Sequence, residues 1–275
     1  MSHYCFLNGE VVPLEEGKVS VSDIGLLRGY GIYDGLIVIK GKVLRFADHW
    51  QRFVRGAEAL NLKIPVTEKL LEKKIIEIAE RSGLSTRSNI RLILTGGETL
   101  EGIEYDFDEP TFYVTVGKWS PLPNECFKNG AKLISHDYQR EFPEIKTINY
   151  ITGVNLQNNM KAEGAIEILY KHNGLILECA TSNIFLVKDK MLIMPEANVL
   201  EGVTSKIVQE LAGSKYKIDK RDVREEELNS ADEVFITSSF KDVVPISQID
   251  SFTVKSNGVG PVTKDIMERF AKYLV

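Results

Sequence analysis

The chain has 275 residues, 43% of them hydrophobic and 27% charged, and a net charge of −5. That is enough apolar material for a sizeable core, divided by length into two domains, and an acidic balance without any basic run argues against electrostatic binding to nucleic acid or to an anionic membrane. No stretch approaches the roughly 18 apolar residues of a membrane span, and Met1-Ser2-His3-Tyr4-Cys5 lacks the basic-then-apolar order of a secretory signal, so a soluble cytoplasmic protein is expected.

In chain order, the first signal is a hairpin, with strands at 35–39 and 43–46 joined around Lys40-Gly41-Lys42. Trp50, Phe53, Val54, Ala57 and Leu60 then recur at helical spacing over 48–62. A second helix from Thr67 carries Leu70, Leu71, Ile75, Ile78 and Ala79 until Gly83 stops it. Strands at 90–95 and 111–116 complete a small α+β unit. The proline-bearing run Trp119-Ser120-Pro121-Leu122-Pro123-Asn124 reads as a linker, which gives a first domain over 1–118, a linker over 119–124 and a second domain over 125–275. Beyond the linker come strands at 165–170, 184–187 and 191–194, the last two joined across Lys188-Asp189-Lys190. Helices are expected near 150–163, over 204–211 and at the end, over 262–274. Cys5, Cys126 and Cys179 are odd in number and scattered; packed thiols are expected, with neither a disulfide framework nor a metal site.

Four short segments carry chemistry. Lys146 precedes an expected helix for which Thr147 or Asn149 is a candidate N-cap; an amine at the positive end of a helix is favoured in its neutral, nucleophilic form. Glu178 follows the apolar run Gly174-Leu175-Ile176-Leu177, and a carboxylate in such surroundings needs a cationic or hydrogen-bonding partner. Leu200-Glu201-Gly202-Val203-Thr204-Ser205 leads into a helix whose first N–H groups suit an anion. Glu233-Val234-Phe235-Ile236-Thr237-Ser238-Ser239-Phe240 is a strand running into three hydroxyl residues, a candidate second wall for that anion. Each has an ordinary alternative: a solvated lysine, an exposed glutamate, a simple helix cap, a Ser/Thr turn. Taken together, an amine, an acid and an anion cradle suit pyridoxal 5′-phosphate (PLP), whose aldehyde forms a Schiff base with lysine and whose ring nitrogen needs an acidic partner.

These runs, in this order, resemble the motifs of the class IV, fold type IV PLP enzymes, a family of branched-chain aminotransferases, D-amino acid aminotransferases and aminodeoxychorismate lyases. Gly29-Tyr30-Gly31-Ile32-Tyr33 and Asp48-His49-Trp50-Gln51-Arg52 fit the same pattern, so the likeness spans nearly the whole chain. It implies an α+β fold, with a small N-terminal α/β domain and a larger C-terminal pseudo-barrel domain. It also implies that Lys146 carries PLP, Glu178 pairs with the ring nitrogen and Tyr150 approaches the 3′-oxygen. Arg52, Val203, Thr204 and Ser239 hold the phosphate in that scheme, Leu200 packs on the ring, and Tyr33 and Phe240 meet the substrate. Periodicity alone leaves Arg52 in solvent, off the apolar stripe of its helix. The resemblance further implies a homodimer whose active sites borrow residues 29–33 from the partner subunit.

The choice of substrate rests on groups that meet its carboxylate and side chain. Branched-chain members usually carry a second acid where this chain has Ser182, and D-amino acid members usually carry an Arg-x-His pair where it has Gly97 and Thr99. Arg28 and Arg91 are substitute carboxylate ligands: Arg28 precedes the glycine-rich run, and Arg91 alternates with Leu92 on a strand and is expected to point toward a cavity. Pairing with an aspartate or glutamate is the alternative for both. The reading leans to a D-amino acid aminotransferase, with branched-chain L-amino acids second and the lyase third.

Overall fold

The computed structural model describes residues 3–275; Met1 and Ser2, the start of the segment read above for a targeting signal, lie outside the described residues. The chain divides into two units. One holds the residues up to Ser120 together with Ile145–Asn149, and the other holds Pro121–Glu144 and Tyr150–Val275. Residues 145–149, which the sequence groups with the second domain, join the first because their backbone bonds to one of its strands.

The first unit runs β1 (Tyr4–Leu7), β2 (Glu10–Pro13), α1 (Ile24–Arg28), β3 (Gly31–Ile39), β4 (Lys42–Val43), α2 (Phe46–Ala59), α3 (Glu68–Arg81), β5 (Arg87–Thr95) and β6 (Thr111–Lys118). Its antiparallel sheet has the order β2-β1-β6-β5-β3-β4. Lys40 and Gly41 take left-handed φ angles of 51° and 74° in the β3–β4 turn, as a two-residue hairpin matching strand twist requires. Thr67 caps α3 by accepting the Leu70 N–H, and the buried Leu71, Ile75, Ile78 and Ala79 lie on the predicted stripe, whereas Leu70, also placed on it by the sequence, is exposed. Alternation sorts the sheet. Leu36 and Val38, Ile90, Leu92 and Leu94, and Phe112, Val114 and Val116 share a core with Phe53 of α2 and Ile75 of α3. Tyr33, Arg91 and Tyr113 therefore occupy the opposite face.

The second unit runs α4 (Asn124–Asn129), β7 (Ala131–Asp137), α5 (Ile151–Asn155), α6 (Gln157–Ala162), β8 (Glu167–His172), β9 (Leu175–Cys179), β10 (Asn183–Lys188), β11 (Met191–Met194), α7 (Val203–Ala212), β12 (Ile218–Lys220), β13 (Val223–Arg224), β14 (Glu233–Ser238), β15 (Asp242–Ile249), β16 (Phe252–Thr253) and α8 (Pro261–Tyr273). Its sheet has the order β12-β11-β10-β14-β15-β7-β8-β9-β13, with β16 added to β15. The sheet curls into a half-barrel, and an isolated bridge between Cys179 and Ser182 joins the end of β9 to the start of β10. Ile184, Leu186, Val234, Ile236, Val244 and Ile246 line one core. Residues that alternate with them face α8: Glu233 accepts the N–H groups of Val262 and Thr263 at the start of that helix.

Among the described residues no helix is long and apolar enough to cross a membrane, and no cluster of His, Cys, Asp and Glu is placed to hold a metal ion. The three cysteines are free, with Cys5 and Cys179 buried.

Candidate active site

Lys146 lies on an extended segment along the edge of β3 that faces away from β5. Tyr33 donates its N–H to the Lys146 carbonyl at 2.9 Å, Ile148 donates to Gly31 at 3.1 Å, and Ile32 and Thr147 form an isolated bridge. Where the sequence suggests a helix start, the backbone is thus engaged as an added strand. The helix α5 begins only at Ile151, with the half-buried Tyr150 as its N-cap residue, and neither Thr147 nor Asn149 caps it. Lys146 Nζ stands 4.5 Å from the centroid of the Tyr33 ring, because Tyr33 belongs to β3, whose edge the 146–148 segment covers.

Arg52 is buried, contrary to its place off the apolar stripe. Its Nε and Nη2 donate to Asp34 Oδ2 and Oδ1 at 2.9 and 2.7 Å, and His49 Nδ1 lies 2.8 Å from Oδ1. His49, Arg52 and Gly56 are buried about one helical turn apart on α2, and a Cβ on Gly56 would stand 3.5 Å from Ile32. Burial pushes the Asp34 carboxyl up, but Arg52 and His49 outweigh it and hold it well below the usual carboxylate range. Burial, with lesser help from the Arg52 and Lys146 charges, lowers His49 against the pull of Asp34. A neutral His49 beside a carboxylate carries its proton on Nδ1 and donates it to Asp34.

The two arginines considered for the substrate carboxylate stand apart in character. Arg28 ends α1, is exposed, and turns its Nη1 to the Leu27 carbonyl at 3.0 Å. Arg91 sits between Gly35 and Thr115 on the same sheet face as Tyr33; it is exposed there. Gly97 has a φ of 81°, and a Cβ on it would come within 2.1 Å of the Glu109 carbonyl oxygen. No side chain fits, so an arginine of the Arg-x-His kind has no room at that position.

In the second unit Glu178 lies on β9, placed by the Asn173-Gly174 turn, whose φ angles are 52° and 75°. It is only 6% exposed. Arg140 Nε and Nη2 donate to its Oε1 at 2.9 and 2.6 Å, and the Leu200 N–H donates to Oε2 at 3.1 Å. Arg140 also bonds to the carbonyls of Phe142 and Pro143. It is the partner that sequence reading misses: burial of Glu178 demands a cation, but nothing local says that it comes from the segment after β7. The Leu200 carbonyl accepts from Asn183 Nδ2 at 2.7 Å, so Leu200 is gripped at both of its backbone groups.

The helix α7 has Gly202 as N-cap and no side-chain cap; Thr204 and Ser205, candidate caps in the sequence, lie inside its first turn and are buried. The first-turn N–H groups, those of Val203, Thr204 and Ser205, have no acceptor within the helix. A Cβ on Gly202 would come within 1.9 Å of Asn183 Oδ1, so a larger residue there has to displace the amide that holds Leu200. Ser239 and Phe240, both half-buried, lie in the turn between β14 and β15.

A family model described as class IV amino-transferase matches residues 31–249. The chain is 29% identical to a putative branched-chain-amino-acid aminotransferase of Methanocaldococcus jannaschii, over 96% of this chain and 94% of that protein. It is 28% identical to a D-alanine aminotransferase of Staphylococcus epidermidis, over 98% and 97% respectively. Among solved structures it resembles the T.th. branched-chain amino acid aminotransferase with pyridoxamine 5′-phosphate, with a TM-score of 0.91, 27% identity, and coverage of 100% of this chain and 94% of that one.

Proposed function

The chain belongs to the class IV aminotransferase family, and from that premise we propose that it is a PLP-dependent enzyme that moves an amino group between an amino acid and a 2-keto acid, with D-amino acids as donors. The observation that carries the reading is Glu178: a buried carboxylate countered by Arg140 and bonded to the N–H of Leu200, just before an uncapped helix start. That donor and acceptor set fits a cofactor with a phosphate at one end and a basic ring nitrogen at the other. Lys146 supplies the amine, Glu178 the partner of the ring nitrogen and Tyr150 the neighbour of the 3′-oxygen. Arg52, Val203, Thr204 and Ser239 are assigned to the phosphate and Leu200 to the ring face. Tyr33, Arg91, Arg28 and Phe240 are assigned to the substrate.

Bound PLP supplies an electron sink for the α-carbon of the amino acid. Lys146 Nζ would hold the cofactor and, once free, would serve as general base and then general acid for the substrate's α-proton. The Tyr33 ring holds that amine in place from one side. Arg91, on the Tyr33 face of the sheet, pairs with the substrate carboxylate through charge-assisted hydrogen bonds. The same reading includes a homodimer in the cytoplasm, which light scattering and cell fractionation test.

D-amino acids are supported by likeness to D-alanine aminotransferases over 98% of the chain. Branched-chain L-amino acids are the second reading, favoured by the closed position at Gly97, where the arginine of the usual D-amino acid trap does not fit. A screen of D- and L-amino acids with 2-oxoglutarate or pyruvate separates them. Keto acid from D-alanine supports the first, keto acid from L-leucine alone supports the second, and no transamination with any donor refutes both.

A further inference from the structure

Outside the residues assigned above, the second unit holds an ion pair between a half-buried lysine and a buried glutamate, and its place is unusual. Lys241, in the turn between β14 and β15, reaches Glu167 at the start of β8, with Nζ 2.7 Å from Oε2. Glu167 is 3% exposed. The same Nζ donates to Thr181 Oγ1 and, at 3.3 Å, to Ser182 Oγ. Thr181 and Ser182 in turn donate their hydroxyls to Glu167 Oε2, and the Ile168 N–H donates to Oε1. The network therefore ties together three separate stretches of chain.

Two of those stretches carry assigned residues. The turn 179–182 is the whole connection between Glu178 and Asn183, which grip the N–H and the carbonyl of Leu200. It is closed by the Cys179 N–H bonding to the Ser182 carbonyl at 2.8 Å. The other stretch, Ser238 to Lys241, holds Ser239 and Phe240 and is closed by the Lys241 N–H bonding to Ser238 Oγ at 3.2 Å. An ion pair with one buried member adds little net stability, because desolvation offsets the attraction; its best-attested use is to fix one arrangement against alternatives. A lysine stem is flexible, yet here three acceptors from two segments determine where its amine sits.

We propose that Lys241 and Glu167 are positioning residues that lock the Ser239–Phe240 turn to the Glu178–Asn183 turn, fixing the phosphate and substrate wall relative to the acid that meets the cofactor ring. This rests on the function proposed above. The pair is not among the groups assigned to cofactor or substrate; it sets the register between the groups that are.

The test is the apoprotein's affinity for pyridoxamine 5′-phosphate against its affinity for pyridoxamine, read by fluorescence titration, beside KM and kcat for the amino donor. Lys241→Met and Glu167→Gln should each lower the preference for the phosphorylated ligand by about tenfold, the scale of a lost charge-assisted contact. KM should rise by a similar factor while kcat falls less. The double variant should be no worse than either single one, as for two members of a single network, and Lys241→Arg should recover part of the loss. Should Lys241→Met fail to fold, Thr181→Val removes one acceptor of Nζ and should show a smaller fall in the same ratio. Folded variants with a lowered thermal midpoint but an unchanged ligand preference and KM would overturn the proposal and leave an ordinary structural pair. Wild-type protein without any preference for the phosphorylated ligand would overturn the cofactor reading, and this proposal with it.

Discussion

Replacing Asp34 by asparagine keeps the side-chain shape and removes the charge that Arg52 and His49 face. The structure sets the size of the effect. The carboxylate takes bonds of 2.7 and 2.9 Å from the Arg52 guanidinium and one of 2.8 Å from His49, all of them buried. In the variant a buried guanidinium faces an amide, and removing one member of a buried pair costs about 3–5 kcal/mol, out of a total stability of roughly 5–15 kcal/mol. Urea unfolding of the apoprotein at neutral pH, followed by circular dichroism, should show that loss as a lower midpoint at unchanged slope. The pH dependence has a definite sign. Both Asp34 and His49 titrate lower in the folded protein than normal, so each contributes stability above its unfolded pKa, about 3.9 and 6.5, that is lost as pH falls. Wild-type stability should begin to drop below about pH 6.5 through His49, and the gap to Asp34→Asn should narrow below about pH 4. A loss within about 0.5 kcal/mol, the range of an ordinary surface substitution, would refute the reasoning.

Lys146→Ala should abolish the visible absorption band that purified protein shows with PLP, because the covalent link resides in its amine; a borohydride-fixable adduct persisting in the variant would remove Lys146 from its assigned role. Glu178→Gln should retain much of the cofactor yet transaminate more than about 100-fold more slowly, the scale of losing a well-placed electrostatic group, and near-normal turnover would assign the ring nitrogen to another residue. Arg91→Ala should cost about 1.5–3 kcal/mol in catalytic efficiency for an amino acid and much less for a primary amine such as 1-phenylethylamine. Arg28→Ala tests the second assigned arginine by the same comparison, and equal losses on both substrates would return either residue to a structural role.

Local pattern made much of the first unit legible. The stripe of Leu71, Ile75, Ile78 and Ala79 determined α3, with Thr67 at its start, and Lys40-Gly41 marked a turn, as Asp189-Lys190 did in the second unit; all four residues have left-handed φ angles. Such patterns are readable because they reflect interactions among residues a few positions apart. Short strands such as β1 and β2 offer four residues each, too few for alternation to stand out, and β15 carries Pro245 in its middle, a residue that argues against a strand flanked on both sides. The sequence pointed to Lys146, Glu178 and Gly202 through chemistry and order along the chain. It did not determine that Arg52 is buried against Asp34, that Arg140 answers Glu178 from 38 residues away, or that Lys146 rides on the edge of β3 and not at a helix start. Each of these depends on which distant segment supplies a counter-charge or a free backbone edge. That is decided when the whole chain is packed, because a buried charge or an open strand edge is costly until a partner from elsewhere satisfies it.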